Sequence, residues 1–330
     1  MTRYLIARLL GMIPMLIGIS LLSFMIMQLA PGSPVEQAGA FMNAEASEQM
    51  GQTFRELYGL DRPLLEQYGD WLSRLVRLDF GLSMSLDRRP VLDKIVEALP
   101  LTVALNALSL LLVLALSIPI GVFSAARQQS IADRILTVIV FVGFSTPSFW
   151  LALLLMMLFG IQLGWLPVSW AGMPRLGEVS TWVWFQEAVR HSVLPVFCYS
   201  FGGLAVFSRY MRASMRDVLG TEFMTAARAR GWSEWQAIWR HAFPNALLPL
   251  ITLLGLSLPG LIGGSVILEQ VFAIPGMGRL FWEAVMSRDY TLVMGVLTIG
   301  AVLTLIGNLL ADIGYAVADP RIRHQQESTS

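Results

Sequence analysis

Six long stretches of this 330-residue chain contain no Asp, Glu, Lys, Arg or His: Leu9–Ala30, Leu101–Ala126, Ile135–Leu163, Ser192–Ser208, Ala242–Leu268 and Tyr290–Ala311. A helix needs about 20 mostly apolar residues to cross the hydrocarbon core of a bilayer. In that medium the backbone must satisfy its own hydrogen bonds, so such runs read as membrane helices. The third run is long enough to be tilted or kinked, with Pro147 inside it and Pro167 just after. The fourth is short, and it is expected to borrow its ends from His191 and Arg209 by snorkelling. Composition agrees with a membrane protein. Charged residues are 14% and hydrophobic residues 55% of the chain, and mean hydropathy is +0.62. That is too little charge to cover a soluble domain of this size. Lys+Arg and Asp+Glu balance at 23 each, leaving no basic excess for nucleic acid.

Orientation follows from the basic residues of the connecting segments. With the N-terminus inside, segments 1–8, 127–134, 209–241 and 318–330 carry 12 Arg against 6 acids. The outside segments 31–97, 164–191 and 269–289 carry 11 Lys+Arg against 16 acids. The six arginines between Arg209 and His241 dominate this bias. The expectation is an all-α integral membrane protein with six transmembrane helices and both termini cytoplasmic. The first run is read as an uncleaved helix, because it exceeds the apolar core of about 7–15 residues in a signal peptide. Domain organisation reads as a first transmembrane helix (1–30), an extracytoplasmic helical insertion (31–97), a five-helix core (98–320) carrying a cytoplasmic loop at 209–245, and a polar tail (321–330). Within the insertion, Glu45–Tyr58 reads as a polar helix and Gly59-Leu60-Asp61-Arg62-Pro63 as a turn. Leu64, Leu65, Tyr68, Trp71, Leu72, Leu75 and Val76 then recur at helical spacing.

Several chemistries lack their residues. A phosphate loop needs G-x-x-x-x-G-K-[ST], yet the one lysine, Lys94, follows Asp93. His191, His241 and His324 are far apart in sequence, so no H-E-x-x-H pair exists. The lone Cys198 has no neighbouring base and reads as a small buried hydrophobe. Asp312 is the one acid within a span, near its end, where it either pairs with an inner-loop arginine as a structural lock or does nothing specific. No catalytic, cofactor or metal site is expected.

The informative segment is 209–249. Glu222 opens a helix and Arg228 and Arg230 close it, matching the helix dipole. Gly231 suits a C-terminal cap with positive φ. Ser233 and Gln236 form a capping box for a second helix. Ala226, Ala227 and Ala229 permit close approach, while Trp232, Trp235 and Trp239 supply large apolar anchors. Such an element either docks in a groove of a partner or lies on the bilayer with its tryptophans at headgroup level. Further along, Gly255, Pro259, Gly260, Gly263 and Gly264 allow bending and close contact in the fifth span, with Gly260 and Gly264 as a small-xxx-small pair. This helix either packs on its neighbours or lines a path. Glu269 and the Pro275-Gly276 turn at its outer end either gate the path, contact a delivery protein, or form a structural turn.

Ala226-Ala227, then Gly231, then Pro244 thirteen residues beyond it resemble the "EAA" loop of bacterial ABC-importer permeases. Thr225 stands where the broad pattern has Glu, and His241 and Phe243 stand where it has Ile and Leu. Glu222-Phe223, Ala227-Arg228-Ala229-Arg230-Gly231, Arg240-His241-Ala242 and Asn245-Ala246 resemble the dipeptide/oligopeptide/nickel subgroup. So do Ala30-Pro31-Gly32-Ser33-Pro34, Tyr58-Gly59-Leu60-Asp61-Arg62-Pro63, Asp79-Phe80-Gly81-Leu82-Ser83, Glu269-Gln270-Val271-Phe272, Pro275-Gly276-Met277-Gly278 and Asp319-Pro320-Arg321-Ile322. The resemblance covers almost the whole chain.

It implies a type I ABC-importer permease in the bacterial cytoplasmic (inner) membrane, carrying peptides or a similar small solute. The chain would form half of the translocation path beside a second homologous permease. Two ABC ATPase subunits, which use ATP and Mg, would dock on Glu222, Ala226, Ala227, Arg228, Ala229, Arg230, Gly231, Trp235, His241 and Pro244. An extracytoplasmic solute-binding protein would deliver cargo, and Gly260, Gly263, Gly264 and Pro147 would lie along the path. The rivals are a self-sufficient transporter or channel, for which the 221–249 loop has no role, and a membrane scaffold, which needs no Gly/Pro-rich spans.

Overall fold

The computed structural model describes residues 2–29, 52–53, 59, 61–85 and 87–318, with backbone alone at 2–7, 144, 262 and 312–318. The polar helix expected at Glu45–Tyr58 falls almost wholly outside these residues, as do the side chain of Asp312 and the tail at 321–330. In chain order the helices are α1 (Thr2–Leu29), α2 (Leu64–Val76), α3 (Val91–Ala126), α4 (Ile131–Ser145), α5 (Ser148–Leu155), α6 (Thr181–Leu219), α7 (Glu222–Ala229), α8 (Glu234–Gln236), α9 (Phe243–Ala246), α10 (Leu248–Ser257), α11 (Gly260–Gly263), α12 (Val266–Val271), α13 (Met277–Met286) and α14 (Tyr290–Ala318). Wider π-turns extend α5 over Met156–Gln162 and join α8 to α9 over Ala237–Ala242. Among the described residues there are isolated bridges but no strand.

Among the described residues, four helices are long and apolar enough to cross a membrane: Arg8–Leu29, Val91–Ala126, Thr181–Leu219 and Tyr290–Ala311. The third uncharged run is sharply bent. Ile131–Gly143 and Ser148–Gln162 meet at 101°. Proline disfavours the helical conformation in the residue before it, and Thr146 is extended, with ψ 123°.

The fourth run is not marginal. Thr181–Leu219 is one helix of 39 residues, about 1.5 Å per residue, and so about twice the length that hydrocarbon requires. His191 does not snorkel. It is buried, its Nδ1 lies 2.8 Å from the Glu187 carbonyl, and the Trp170 ring meets it edge-on. A charge-free window underestimates such a helix because its polar ends continue beyond the bilayer.

The fifth run, expected as one span, is divided into α10, α11 and α12. Gly264 has φ +63° and ψ −174°, a region open essentially to glycine alone. Gly260 and Gly264 therefore do not share a helix face, and the small-xxx-small pair does not form.

The chain divides into two compact units, Met1–Leu101 with Pro275–Ile306 and Thr102–Ile274 with Gly307–Ser330. In the first, Val91, Ile95, Ala98, Met277, Ala284, Leu292, Val293 and Val296 form the core. Helix α2 turns Tyr68, Trp71, Leu72 and Leu75 inward, while Leu65 is 85% and Val76 80% exposed. Tyr68 Oη lies 2.9 Å from Ser20 Oγ on α1, and Gln28 Nε2 donates to Gln67 at 3.0 Å. The one lysine, Lys94, donates to Ser83, Ser85 and Asp87 at 2.8–3.0 Å. The buried Asp289 accepts from Ser83 and from the Leu292 amide.

The second unit is centred on α6. Its core joins Val113, Val122 and Ala125 of α3 to Phe207, Met211 and Met215 of α6 and to the 224–250 segment. The helices cross closely at Gly121, where a Cβ would lie 2.5 Å from Met211 Cβ and 2.9 Å from the Ser208 carbonyl oxygen. Overpacking of this kind costs about 1–3 kcal/mol. Gly121→Ala is expected to lower the thermal midpoint of the detergent-solubilised chain, and an unchanged midpoint would contradict this crossing.

Candidate functional site

Residues 221–246 build a compact element against α6 within the second unit. Thr221 is extended, and Thr221 Oγ1 donates to the Val218 carbonyl at 2.7 Å. Helix α7 then runs from Glu222, an acid in its first turn, to Arg228 in its last, each sign on the favourable end of the dipole. The Arg230 amide closes the helix onto the Ala226 and Ala227 carbonyls, and the Gly231 amide donates to Arg228 O at 2.9 Å. Gly231 has φ +86°, the conformation its place after the helix requires. Arg228 Nε donates to Glu234 Oε1 at 2.9 Å across the turn, an exposed pair worth about 0–1 kcal/mol. The capping box forms: the Gln236 amide donates to Ser233 Oγ and the Ser233 amide to Gln236 Oε1.

Small residues seat the element. Ala237, Ala242 and Ala246 are fully buried beside Met211, Met215 and Met224. Ser214 Oγ on α6 donates to the Ala246 carbonyl at 2.9 Å, satisfying a group that the helix end leaves open. This packing divides the candidate coupling residues. Glu222, Ala226, Arg228, Ala229, Arg230, Gly231, Trp235 and Pro244 are exposed, His241 is half-buried, and Ala227 is buried. Ala227 thus serves as a seat rather than as surface. His241 is caged edge-on by Trp232 at 4.8 Å and Phe223 at 6.0 Å, and Arg240 lies over the Trp232 ring at 5.2 Å. Trp235 is 70% and Phe223 45% exposed. Two large exposed apolar groups and the exposed Arg228, Arg230 and Arg240, carried on a well-packed base, have the chemistry of a docking face. In the sequence Phe223 stands out only through the Glu222-Phe223 pair and not as a docking residue, and its exposure adds it to this face.

A second feature missed in the sequence fastens this unit. Asp133, 3% exposed at the start of α4, accepts from Arg212 Nη2 of α6 at 2.8 Å, from the Gln129 amide at 3.0 Å and from Ser124. Arg212 Nη1 also donates to Thr137 Oγ1 at 2.9 Å. Sequence reading looked to Asp312 for such a lock because it stood inside an uncharged run. Asp133 sits in a short charged connection and gave no such contrast.

The four candidate path residues lie at backbone breaks. Pro147 stands between α4 and α5, Gly260 and Gly263 are in α11, and Gly264 follows it. Helix α12 packs on α5 and α6, which brings the element after Gly264 to the one after Pro147. Glu269, read as a gate, a docking contact or part of a turn, is fully buried, and that burial removes the docking-contact option.

Helices throughout the described residues, broken spans and a compact element presenting exposed aromatics and arginines suit a membrane protein that works with partner subunits. Residues 117–324 match the family described as binding-protein-dependent transport system inner membrane component, and residues 1–106 match the N-terminal family of such membrane components. The chain belongs to this family. The oligopeptide transport system permease protein AppB of Bacillus subtilis is 41% identical to it over 98% of this chain and 100% of its own length. The glutathione transport system permease protein GsiC of Escherichia coli is 35% identical over the same shares. The chain is therefore an inner-membrane permease component of an ATP-driven importer and not an enzyme. ATP is used by partner ATPase subunits, and a solute-binding protein works with the system.

Proposed function

We propose that this permease carries peptides or similar small solutes and takes its driving force through residues 221–246. The exposed face holding Trp235, Phe223 and the arginines is the observation that supports this reading most. It would receive an ATPase subunit, with Glu222, Ala226, Arg228, Ala229, Arg230, Gly231, Trp235 and Pro244 at or beside the contact. His241 and Ala227 would keep it in shape. Because the element is packed on Met211 and Met215 of α6, movement of the docked ATPase would tilt α6 and the spans against it.

In this reading the chain has six spans and cytoplasmic termini, the fifth span being the broken α10–α12 segment. It pairs with a second homologous permease to enclose the path, and two ATPase subunits bind the pair. Residues 31–97 form the extracytoplasmic insertion, 98–320 the core and 321–330 the tail. Gly260, Gly263, Gly264 and Pro147 lie along the path, where backbone breaks let helices move. Peptide cargo is supported by the relatives, since an oligopeptide and glutathione are both peptide compounds. Affinity would reside in the binding protein, leaving the path free to release what it receives.

The test is gentle detergent extraction of the tagged chain, followed by identification of its companions. A second permease and an ATPase are expected with it. A chain recovered alone, or only with copies of itself, would overturn the assembly proposed here.

A further inference from the structure

A carboxylate buried in a membrane protein is costly unless hydrogen-bonded or paired, and such residues mark working parts. Glu269 is 0% exposed on α12. Its Oε1 lies 3.1 Å from Thr102 Oγ1 of α3 and 3.5 Å from Tyr199 Oη of α6, both hydroxyls donating. The same oxygen occupies the space that Gly264 leaves open. A Cβ on Gly264 would stand 2.4 Å from Oε1 and 3.0 Å from Thr102 Cγ2. One helical turn along α3 from Thr102, Asn106 Nδ2 donates to the Leu261 carbonyl at 3.0 Å. The segment 260–269 is thus held on α3 at both ends by polar contacts. Ser265 starts α12 by accepting from the Leu268 amide.

We propose that Glu269 is a positioning residue for transport, fixing the Gly260–Gly264 turn through Thr102 and Tyr199 so that this turn moves with α3 and α6 during the cycle. The proposal rests on the reading of Gly260, Gly263 and Gly264 as path residues. Glu269 touches three elements at once, whereas a carboxylate that only capped its own helix would touch one. Both of these contacts are to neutral hydroxyls.

The test uses the complex purified from native membranes, carrying Gly260→Cys as a reporter. A Cβ at Gly260 meets nothing within 4 Å, and the native Cys198 is 1% exposed, which keeps background labelling low. The probe is a membrane-impermeant maleimide, applied without nucleotide and with ATP plus vanadate. The parent complex is expected to label at least tenfold faster in one state than in the other. Glu269→Ala is expected to abolish that difference while subunit composition and basal ATPase stay within twofold of the parent. Glu269→Gln, which can still accept both hydroxyls, is expected to retain most of it. A position that labels in neither state of the parent would refute the path reading. State-dependent labelling that survives Glu269→Ala would refute the positioning role alone. If Glu269→Ala does not assemble, Thr102→Val and Tyr199→Phe each remove one contact. A reduced difference in either supports the role, and an unchanged difference in both overturns it.

Discussion

Replacing Gly231 with tryptophan is expected to leave the chain in the membrane at its normal level while abolishing its association with the ATPase and the uptake that depends on it. The two effects separate because of the local geometry. Gly231 has φ +86°, and a side chain held in the left-handed region costs about 1–2 kcal/mol. Nothing lies within 4 Å of a Cβ there, so no packing penalty is added. The cost falls on one turn while the apolar core beneath, with Met215 and Met224 fully buried, is untouched. The indole instead projects from the exposed face, beside Arg228 and Arg230. Glu222→Arg is a milder companion. Reversing a charge in the first turn of α7 costs about 0.3–1 kcal/mol in helix stability, yet it changes the sign of one corner of the docking face. Membrane abundance measured beside ATPase capture checks both variants, and full capture with normal uptake would contradict the role given to this element.

Arg212→Ala is expected to have the largest effect on stability. The variant strands Asp133, which is 3% exposed, with only Ser124 and the Gln129 amide as donors. Breaking a buried pair by removing one partner costs about 3–5 kcal/mol, and water around the half-exposed Arg212 reduces this to about 2–4 kcal/mol. Asp133→Ala is expected to cost less, because the freed guanidinium, 35% exposed, can turn toward water. Arg212→Lys should recover part of the loss, restoring the charge but not the two-armed contact with Asp133 and Thr137. Thermal midpoints of the four detergent-solubilised proteins order these variants, and equal midpoints for Arg212→Ala and the parent would show that the pair contributes nothing.

What could be read in advance follows the range of the interactions concerned. Gly231 as a cap and the Ser233–Gln236 box depend on residues a few positions apart, and each is found where spacing placed it, whereas of the face expected on α2 only Tyr68, Trp71, Leu72 and Leu75 turn inward and Leu64, Leu65 and Val76 are exposed. Membrane class followed from uncharged runs alone. The breaks at Thr146-Pro147 and Gly264 were only half legible. Proline and glycine announced bending, but the angle at Pro147 and the division of the fifth run depend on neighbours far away in sequence. Gly264 is an instance: its conformation leaves space filled by Glu269, which is itself held by Thr102. Ala227 shows the converse. It belongs to the motif that marks the docking loop, yet packing turns it inward. Asp133 was hidden because its partner, Arg212, lies 79 positions away, and no local pattern couples them.

The most direct test of the docking role is a crosslink from Trp235→Cys. Trp235 is the most exposed aromatic of the element at 70%, and Cys198 is buried, so the new thiol is the single reactive one among the described residues. With a short thiol-to-amine reagent added to membranes containing the whole complex, the expected product joins this chain to an ATPase subunit and disappears when Gly231→Trp is added. Absence of that product, with a fluorophore at the same thiol quenched by lipid-soluble quenchers, would place the helix on the bilayer and contradict the account.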